Sequence, residues 1–123
     1  MPDPLSRLRR LVRRHRVDDN VAGTGHVVVR LSGEITDRNA ERVAERLRQA
    51  LRTHPQVLEV DLWRVPHLSS DGCAAFFAAL LAARPQATRV TVTHANARAH
   101  DTLTQLGLAR FLDLRREEDQ DSP

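Results

Sequence analysis

Short segments rich in branched apolar residues alternate along this chain with longer segments whose apolar residues recur at helical spacing. The alternation predicts strands at residues 26–32, 57–62, 89–94 and 111–114. It predicts helices at residues 36–53, 70–84 and 98–106, each followed by a proline or a glycine. Parallel strands need crossover connections of about this length, so the pattern predicts an α/β fold class, with helices packed against a mixed β-sheet.

A further extended segment precedes the first of these strands, across a turn at residues 22–25 whose two glycines permit the positive φ angles of a tight loop. The predicted element order is therefore β-β-α-β-α-β-α-β. In the second helix, a stripe at helical spacing is predicted to face the sheet, and it consists of Cys73, Phe76, Phe77, Leu80 and Leu81. On that stripe, Cys73 is predicted to be a small buried apolar residue rather than a nucleophile.

The two ends of the chain carry opposite charge. Six of the 19 basic residues, all of them arginine, fall within residues 7–16, whereas four acidic residues crowd positions 117–121. At 123 residues the chain has the size of one domain. We expect a basic N-terminal extension over residues 1–13, one domain over 14–115 and an acidic C-terminal tail over 116–123. Because the strand and helix pattern begins later, we expect that domain to fold without residues 1–13.

Within the basic end, residues 5–14 place Leu5, Leu8, Leu11 and Val12 on one helical face and arginines around the rest. Such a segment is typical of a frayed extension or of a helix packed on its own domain. It is also typical of a surface that binds a membrane, a nucleic acid or a partner protein. The segment alone does not decide between these interpretations.

Several classes of protein find no support in the sequence. No apolar run approaches the roughly 20 residues of a membrane-spanning helix. No apolar stretch follows the first arginines, as a signal peptide requires, so a cytoplasmic protein is expected. The six histidines show no metal-ligand spacing, and no glycine-rich phosphate loop is present. We therefore expect neither a metal nor a cofactor.

The stretch PHLSSDGCAAFF, residues 66–77, places two hydroxyl groups and a carboxylate at the start of the second helix. Ser70 or Asp71 is predicted to cap this helix, because a side-chain oxygen there can accept from a free backbone N–H. A helix N-terminus also tolerates a phosphate on a capping serine. A serine hydrolase places its nucleophile at a similar junction, but the glycine expected two residues before Ser70 is missing.

Four segments, in order, resemble the STAS domain family of bacterial anti-sigma factor antagonists, over about residues 27–114. They are VVVRLSGEIT, VLEVDLWRVPHLSSDG, the apolar helix after it, and LTQLGLARFLDL. The resemblance implies a STAS-like sheet, no enzymatic activity, and binding to an anti-sigma factor of the histidine-kinase-like ATPase class. In such proteins the anti-sigma factor phosphorylates the first serine of the motif and is thereby released. With the motif aligned on Gly72, that serine is Ser70, and Ser69 is the alternative.

The chain departs from the family motif at three positions. Ser69 stands where the family has an aspartate before the acceptor, and Asp71 stands where it has a second hydroxyl residue. Thr36 replaces an aspartate of the first loop. An acidic residue beside Ser70 repels a phosphate, so the switch is predicted to be weaker here, and binding without the switch stays open.

The expected docking surface combines the motif loop with a stripe of small side chains on the helix after it. Its residues are Ser69, Ser70, Asp71, Gly72, Ala75, Ala78 and Ala79. Small side chains let a partner approach closely at little cost in side-chain entropy. The alternative is that the alanine stripe packs under a neighbouring helix of the same domain.

Three functions are compatible with these residues. The leading one is a cytoplasmic partner-switching module that regulates transcription by docking an anti-sigma factor. The first alternative is a STAS adaptor subunit of a membrane transport ATPase or a sensory complex, and the second is a small serine hydrolase using Ser70. No nucleic acid is expected as a partner, and membrane contact is expected only through a partner or through the basic N-terminal segment.

Overall fold

The computed structural model describes residues 19–21 and 25–116, which form five strands and three α-helices. The strands are β1 (Asp19–Val21), β2 (His26–Ser32), β3 (Val57–Arg64), β4 (Arg89–Ala95) and β5 (Asp113–Arg116). The helices are α1 (Ala40–Leu51), α2 (Ala74–Ala83) and α3 (Ala97–Gln105). Single turns of 3-10 helix lie at Asp71–Cys73, Arg84–Gln86 and Leu108–Arg110. This order confirms the predicted β-β-α-β-α-β-α-β.

One five-stranded sheet has its strands in chain order, β1-β2-β3-β4-β5. β1 runs antiparallel to β2, whereas β2, β3, β4 and β5 are parallel to one another. The predicted α/β class with a mixed sheet is confirmed. The basic extension and the acidic residues at 117–123 lie outside the described residues, so their predicted roles remain predictions.

All three helices pack on one face of this sheet. Leu47 of α1, Phe76 of α2 and Leu103 of α3 are fully buried in one apolar cluster. The same cluster takes alternate residues of each central strand, such as Val29 and Val60. Three right-handed crossovers between strands in consecutive order place their helices on the same side, and we call that side the helix face. The core therefore lies between the helix face and the three helices.

The orientation of α2 differs from the prediction. Cys73 and Phe76 are fully buried, as predicted, and Leu80 is partly buried against the core. Phe77 is 45% exposed and Leu81 69% exposed, so their predicted burial is wrong. The positions facing inward with Phe76 are taken by alanines, because α2 packs closely beside α1 and only small side chains fit there.

The start of α1 also differs from the prediction. Thr36 and Asp37 belong to a turn, and the helix begins at Ala40. The side chain of Asn39 holds this turn, since its Oδ1 accepts from the Thr36 N–H at 2.9 Å and its Nδ2 donates to the Glu34 carbonyl at 2.8 Å. An asparagine whose side chain bonds two backbone groups just before it favours a turn over a continuous helix. The loop after β2 is thereby fixed in place.

Candidate functional site

The two loops that carry the motif segments meet at the carboxyl end of the parallel strands. Ile35 lies in the loop after β2, and its N–H donates to the carbonyl of His67 in the loop after β3 at 3.0 Å. The Ser69 N–H donates back to the Ile35 carbonyl at 2.9 Å. Ile35 and Leu68 form an isolated parallel bridge, and both are buried. The motif loop is therefore held as an extension of the sheet.

Gly72 is required by the close approach of these loops. A Cβ placed on Gly72 would collide with the backbone carbonyl of Ile35. Backbone atoms cannot move aside as a flexible side chain can, so a larger residue here would separate the loops. The glycine of the motif thus has a steric role, and its predicted part in direct docking is unsupported because it is buried.

Ser69, and neither Ser70 nor Asp71, caps the helix that follows. The Ser69 Oγ accepts from the Gly72 N–H at 2.9 Å, three residues on, which is the geometry of an N-terminal side-chain cap. The cap predicted at Ser70 or Asp71 is wrong, because Ser70 already has helical φ and ψ angles of −57° and −43° and makes no side-chain cap hydrogen bond. Of the two consecutive serines, the half-buried Ser69 therefore stabilises the start of the helix.

Ser70 is left exposed in the first turn of the helical segment. Its hydroxyl lies where backbone N–H groups point outward and the helix dipole is positive, an environment that favours a negatively charged group. The exposed side chain of Asp71 stands next to it and opposes a second negative charge. The Ser70 hydroxyl is therefore accessible, and the helix N-terminus and the Asp71 carboxylate act on it with opposite electrostatic effects.

A third loop fastens the motif loop from the side of α3. The Asn96 Oδ1 accepts from the Ala99 N–H at 2.8 Å and so caps α3. Its Nδ2 donates to the Pro66 carbonyl at 3.2 Å. One side chain thus fixes both the start of α3 and the approach to Ser70, and sequence patterning alone predicted only the helix.

The alanine stripe proposed for docking is divided by the structure. Ala75 and Ala79 are fully buried, and α2 packs against α1, so the docking role predicted for these two residues is wrong. Ala78 is half-buried. The alternative interpretation, that the stripe packs under a neighbouring helix, is the correct one for the two buried residues.

The outward side of α2 carries a different set of residues, Ala74, Phe77 and Leu81, which are all exposed. They recur at spacings of three and four and so form one line along the helix. The line leads from Ser70 toward an open groove of about 340 Å³ beside the end of α2. Phe77, Leu81 and the 67% exposed Phe111 contribute apolar surface to this groove, and Arg84 and Arg89 are the charged residues that line it.

Sequence reasoning missed this line because α2 is apolar on every side. Its sequence AAFFAALLAA contains no charged or polar residue, so the period alone does not say which apolar residues face the core. The uniform composition was itself the available signal. A helix that is apolar all round either is buried all round or offers an apolar surface to a partner.

The described residues offer few side chains arranged for catalysis or metal binding. Cys73 is fully buried, and burial raises the pKa of its thiol to about 11, which keeps it protonated at neutral pH. Within residues 25–116, the histidine side chains that form hydrogen bonds are those of His26 and His94, which bond to Glu59 and Asp61 and not to Ser70. Over the same residues, no three histidine, cysteine or acidic side chains come together as a possible metal site. Among the described helices, none has the length and apolar composition needed to cross a membrane.

Comparison with known proteins adds a family match. The family model described as "Mlab, STAS domain" matches residues 20–115. No curated protein matches the chain. The match spans β1 to β5 and includes the motif loop and the whole of α2.

Three solved structures share the fold. An anti-sigma factor antagonist from Mycobacterium paratuberculosis is 24% identical, with a TM-score of 0.70 over 83% of this chain and 86% of that one. The Bacillus cell fate determinant SpoIIAA in its phosphorylated form is 16% identical, with a TM-score of 0.60 over 83% and 93%. A sulfate transporter family protein from Wolinella succinogenes is 18% identical, with a TM-score of 0.62 over 81% and 84%.

Proposed function

The chain belongs to the STAS domain family, and on that premise we propose that it is a non-enzymatic module that docks an anti-sigma factor, with Ser70 as the regulatory phosphorylation site. The partner is of the kinase-like ATPase class, and its release or capture regulates transcription in the cytoplasm. The observation that carries the proposal is that Ser69 caps the start of the helix whereas Ser70 is exposed and makes no cap hydrogen bond.

That division frees Ser70 for modification. Because Ser69 supplies the cap, phosphorylation of Ser70 does not remove a hydrogen bond on which the fold depends. The Ser70 side chain is exposed, so a kinase can reach it. A residue that served as both cap and acceptor would change stability and binding together, whereas here the two effects are separable.

A phosphate on Ser70 would carry a charge of about −1.5 to −2 at neutral pH. The helix N-terminus favours this charge, while the adjacent Asp71 disfavours it. The charge of Asp71 therefore offsets part of the stabilisation that the helix N-terminus gives to the phosphate. Ser69 is the alternative acceptor, but its hydroxyl is half-buried and engaged with Gly72.

We define the docking surface as Ser70, Ala74, Phe77 and Leu81. From Ala74 to Leu81 the helix rises by about 10 Å, which is well within the width of a protein interface of ordinary size. The burial of apolar side chains is the dominant favourable contribution to most protein–protein association. Phe77 and Leu81 are the two large apolar side chains available for that role on α2.

Two of the solved structures support the assignment by their descriptions. The Mycobacterium protein is described as an anti-sigma factor antagonist, and the Bacillus protein is described in a phosphorylated form. Both share the fold of this chain over most of their own length, 86% and 93% respectively. We carry the function to this chain on the family match together with the exposed Ser70.

The proposal is tested by incubating the full chain with a candidate kinase-like anti-sigma factor and ATP, followed by mass spectrometry of the peptide that contains residues 66–77. We expect one phosphate on Ser70 in the wild type and none in Ser70→Ala. Ser69→Ala should still accept phosphate at Ser70. A tight complex without phosphate transfer would contradict the switch and retain the docking, whereas the absence of both would contradict the proposal.

A second candidate function is a STAS adaptor subunit of a membrane transport complex. It is favoured by the similarity in fold to the Wolinella protein described as a sulfate transporter family member, and by the acidic Asp71 beside the acceptor position. In that case the partner complex should bind wild type and Ser70→Asp equally well. Equal binding by a transport ATPase, combined with no binding to an anti-sigma factor, would replace the first proposal with this one.

A further inference from the structure

The groove beside the end of α2 extends the docking surface toward the loop before β5. Phe77 and Leu81 of the docking surface line the groove on α2, and the 67% exposed Phe111 lines it from that loop. Ala83 and Val90 also line it, and each is only 2% exposed and belongs to the apolar core. The groove therefore continues the apolar line of α2 and is closed underneath by residues of the core.

The charge of the groove has one sign. Its two charged lining residues are Arg84 and Arg89, and both are exposed. Within residues 25–116, neither arginine forms an ion pair with a carboxylate, and no acidic residue lines the groove. An arginine beside apolar surface offers a permanent positive charge and several N–H donors, which suit a carboxylate. The groove therefore favours a ligand that is apolar and negatively charged at once.

The groove lies at the carboxyl end of α2, where free backbone carbonyls would repel an anion. The Leu80 carbonyl accepts from the Arg84 N–H. The Ala83 carbonyl accepts from the Thr88 N–H at 3.2 Å. The Arg84 carbonyl accepts from the Ala87 N–H at 3.1 Å. These carbonyls are already bonded within the chain, so the two guanidinium groups determine the charge that the groove attracts.

We propose that this groove binds a segment of the anti-sigma factor in which an apolar side chain stands beside an aspartate or a glutamate. The inference rests on the docking proposed for α2, and it specifies the chemistry that the partner presents there. The apolar side chain contacts Phe77 and Phe111. The neighbouring carboxylate pairs with Arg84 or Arg89. At about 340 Å³ the groove has the volume of a small ligand pocket, and because it opens beside the docking surface, a side chain of the docked protein can enter it directly.

The charge of the groove favours a different protein over a second copy of this chain. Two copies that met symmetrically through this surface would each contribute the same patch to the interface. Arg84 and Arg89 of both copies would then lie close together, and like charges across an interface oppose association. A partner that presents a carboxylate meets no such opposition.

Two arginines in equivalent positions provide a matched test. Arg84 is the residue directly after α2, Arg52 is the residue directly after α1, and both are exposed. Arg84→Glu reverses a charge in the groove, and Arg52→Glu makes the same change at the end of the helix to which no docking is assigned. Phe111→Ala removes apolar surface from the groove and leaves the docking surface intact. We would titrate the full chain and each variant with a candidate anti-sigma factor by calorimetry at low and high salt, and measure each Tm to verify folding.

We expect Arg84→Glu to raise the Kd about tenfold at low salt and by less at high salt, because salt screens the lost attraction. Phe111→Ala should raise the Kd at both salt concentrations, since it removes an apolar contact. Arg52→Glu should leave the Kd within about twofold of the wild-type value, because its charge is screened and lies away from the groove.

Wild-type affinity in both Arg84→Glu and Phe111→Ala would overturn the inference. If Leu81→Glu still weakened binding in that case, docking at α2 would stand without the groove. Equal weakening by Arg84→Glu and Arg52→Glu would also overturn the inference, since net charge alone would then explain it. Self-association of the chain that Arg84→Glu abolishes would assign the groove to a second copy instead. No binding by the wild type would contradict the proposed function, and this inference with it.

Discussion

The outward sides of α1 and α2 lie next to each other and are built from opposite chemistry. On α1, Arg48 pairs with Glu41 and with Glu45 at 3.2 Å, and Arg52 pairs with Glu45 at 3.3 Å. On α2, the sequence AAFFAALLAA has no charged residue, so the side chains exposed to water on its outward side are apolar. The paired charges of α1 are well solvated in water. The exposed side chains of Phe77 and Leu81 are not, so covering them with a partner would be favourable. This contrast is the reason that we propose α2, and not α1, as the docking helix.

The two outward sides also differ in what they contribute to the fold. Surface ion pairs contribute little to stability, because water screens the charges and ordering the side chains costs entropy. The hydrogen bonds that Arg48 donates to the carboxylates of Glu41 and Glu45 raise the pKa of Arg48, so the side chain keeps its positive charge. At α2, stability comes from the inward side, from Phe76 and the buried alanines, together with Cys73 directly before the helix. The following measurements test whether the inward side of α2 stabilises the fold and the outward sides of both helices contribute little to its stability.

The largest expected effect separates two adjacent phenylalanines of α2. Phe76→Ala removes a fully buried ring and leaves a cavity, so it should lower the free energy of unfolding by about 3 to 5 kcal/mol. Phe77→Ala, at a 45% exposed site, should cost less than about 1 kcal/mol. Urea unfolding of the two variants measures the difference. Equal losses would mean that the outward side of α2 is part of the core after all.

A second test uses the thiol at the inward start of α2. Burial raises the pKa of Cys73 from 9.0 to about 11 in the folded chain. Between these values the unfolded chain loses a proton that the folded chain keeps, so stability should fall as the pH rises from 9 to 11, by on the order of 2 kcal/mol. The chain has no tyrosine and no lysine, so few other groups titrate in this range. Cys73→Ala should remove the dependence, and a slope that persists in this variant would assign it to another group.

A smaller effect distinguishes the two serines before α2. Ser69→Ala removes the bond to the Gly72 N–H and should cost about 1 kcal/mol. Ser70→Ala removes no cap bond and should change stability by only a few tenths of a kcal/mol. Thermal unfolding of both variants, measured side by side, gives the comparison. A larger loss in Ser70→Ala than in Ser69→Ala would show that Ser70 caps the helix. Phosphorylation of Ser70 would then also affect the stability of the fold.

The smallest effect belongs to α1. Arg48→Ala removes the centre of the ion-pair network, yet the Tm should shift by less than for Ser69→Ala, and the shift should vanish in high salt. Calorimetric scans at low and high salt test this expectation. A large loss that persists in high salt would show that the charges of α1 help to hold the domain together.

The element order was predictable because each strand and helix has its own local signal. Branched runs such as the VVV of β2 and the periodic residues of α1 need no tertiary information to be recognised. Proline and glycine marked most ends of these elements. The family motif added the expected partner and the acceptor position, because segments of fixed order and spacing are specific even when each is weak.

The orientation of α2 and the identity of its cap depended on tertiary contacts. A run of alanine, phenylalanine and leucine has no polar side, so only the packing of α1 decides that Ala75 and Ala79 turn inward while Phe77 turns outward. In the same way, Ser69, Ser70 and Asp71 all have capping side chains. The bridge between Ile35 and Leu68 fixes the loop so that Ser69 takes this role. No local pattern carries that information.

The most direct test of the central claim is a calorimetric titration of the full chain with a candidate anti-sigma factor, comparing one added negative charge on each helix. Leu81→Glu alters the outward side of α2, and Gln49→Glu places the same charge on the exposed side of α1. We predict that Leu81→Glu weakens binding by about 2 kcal/mol or more, roughly a 30-fold rise in Kd, with the Tm unchanged. Gln49→Glu should bind as the wild type does. Wild-type affinity in Leu81→Glu, or equal weakening in both variants, would contradict the assignment of docking to α2.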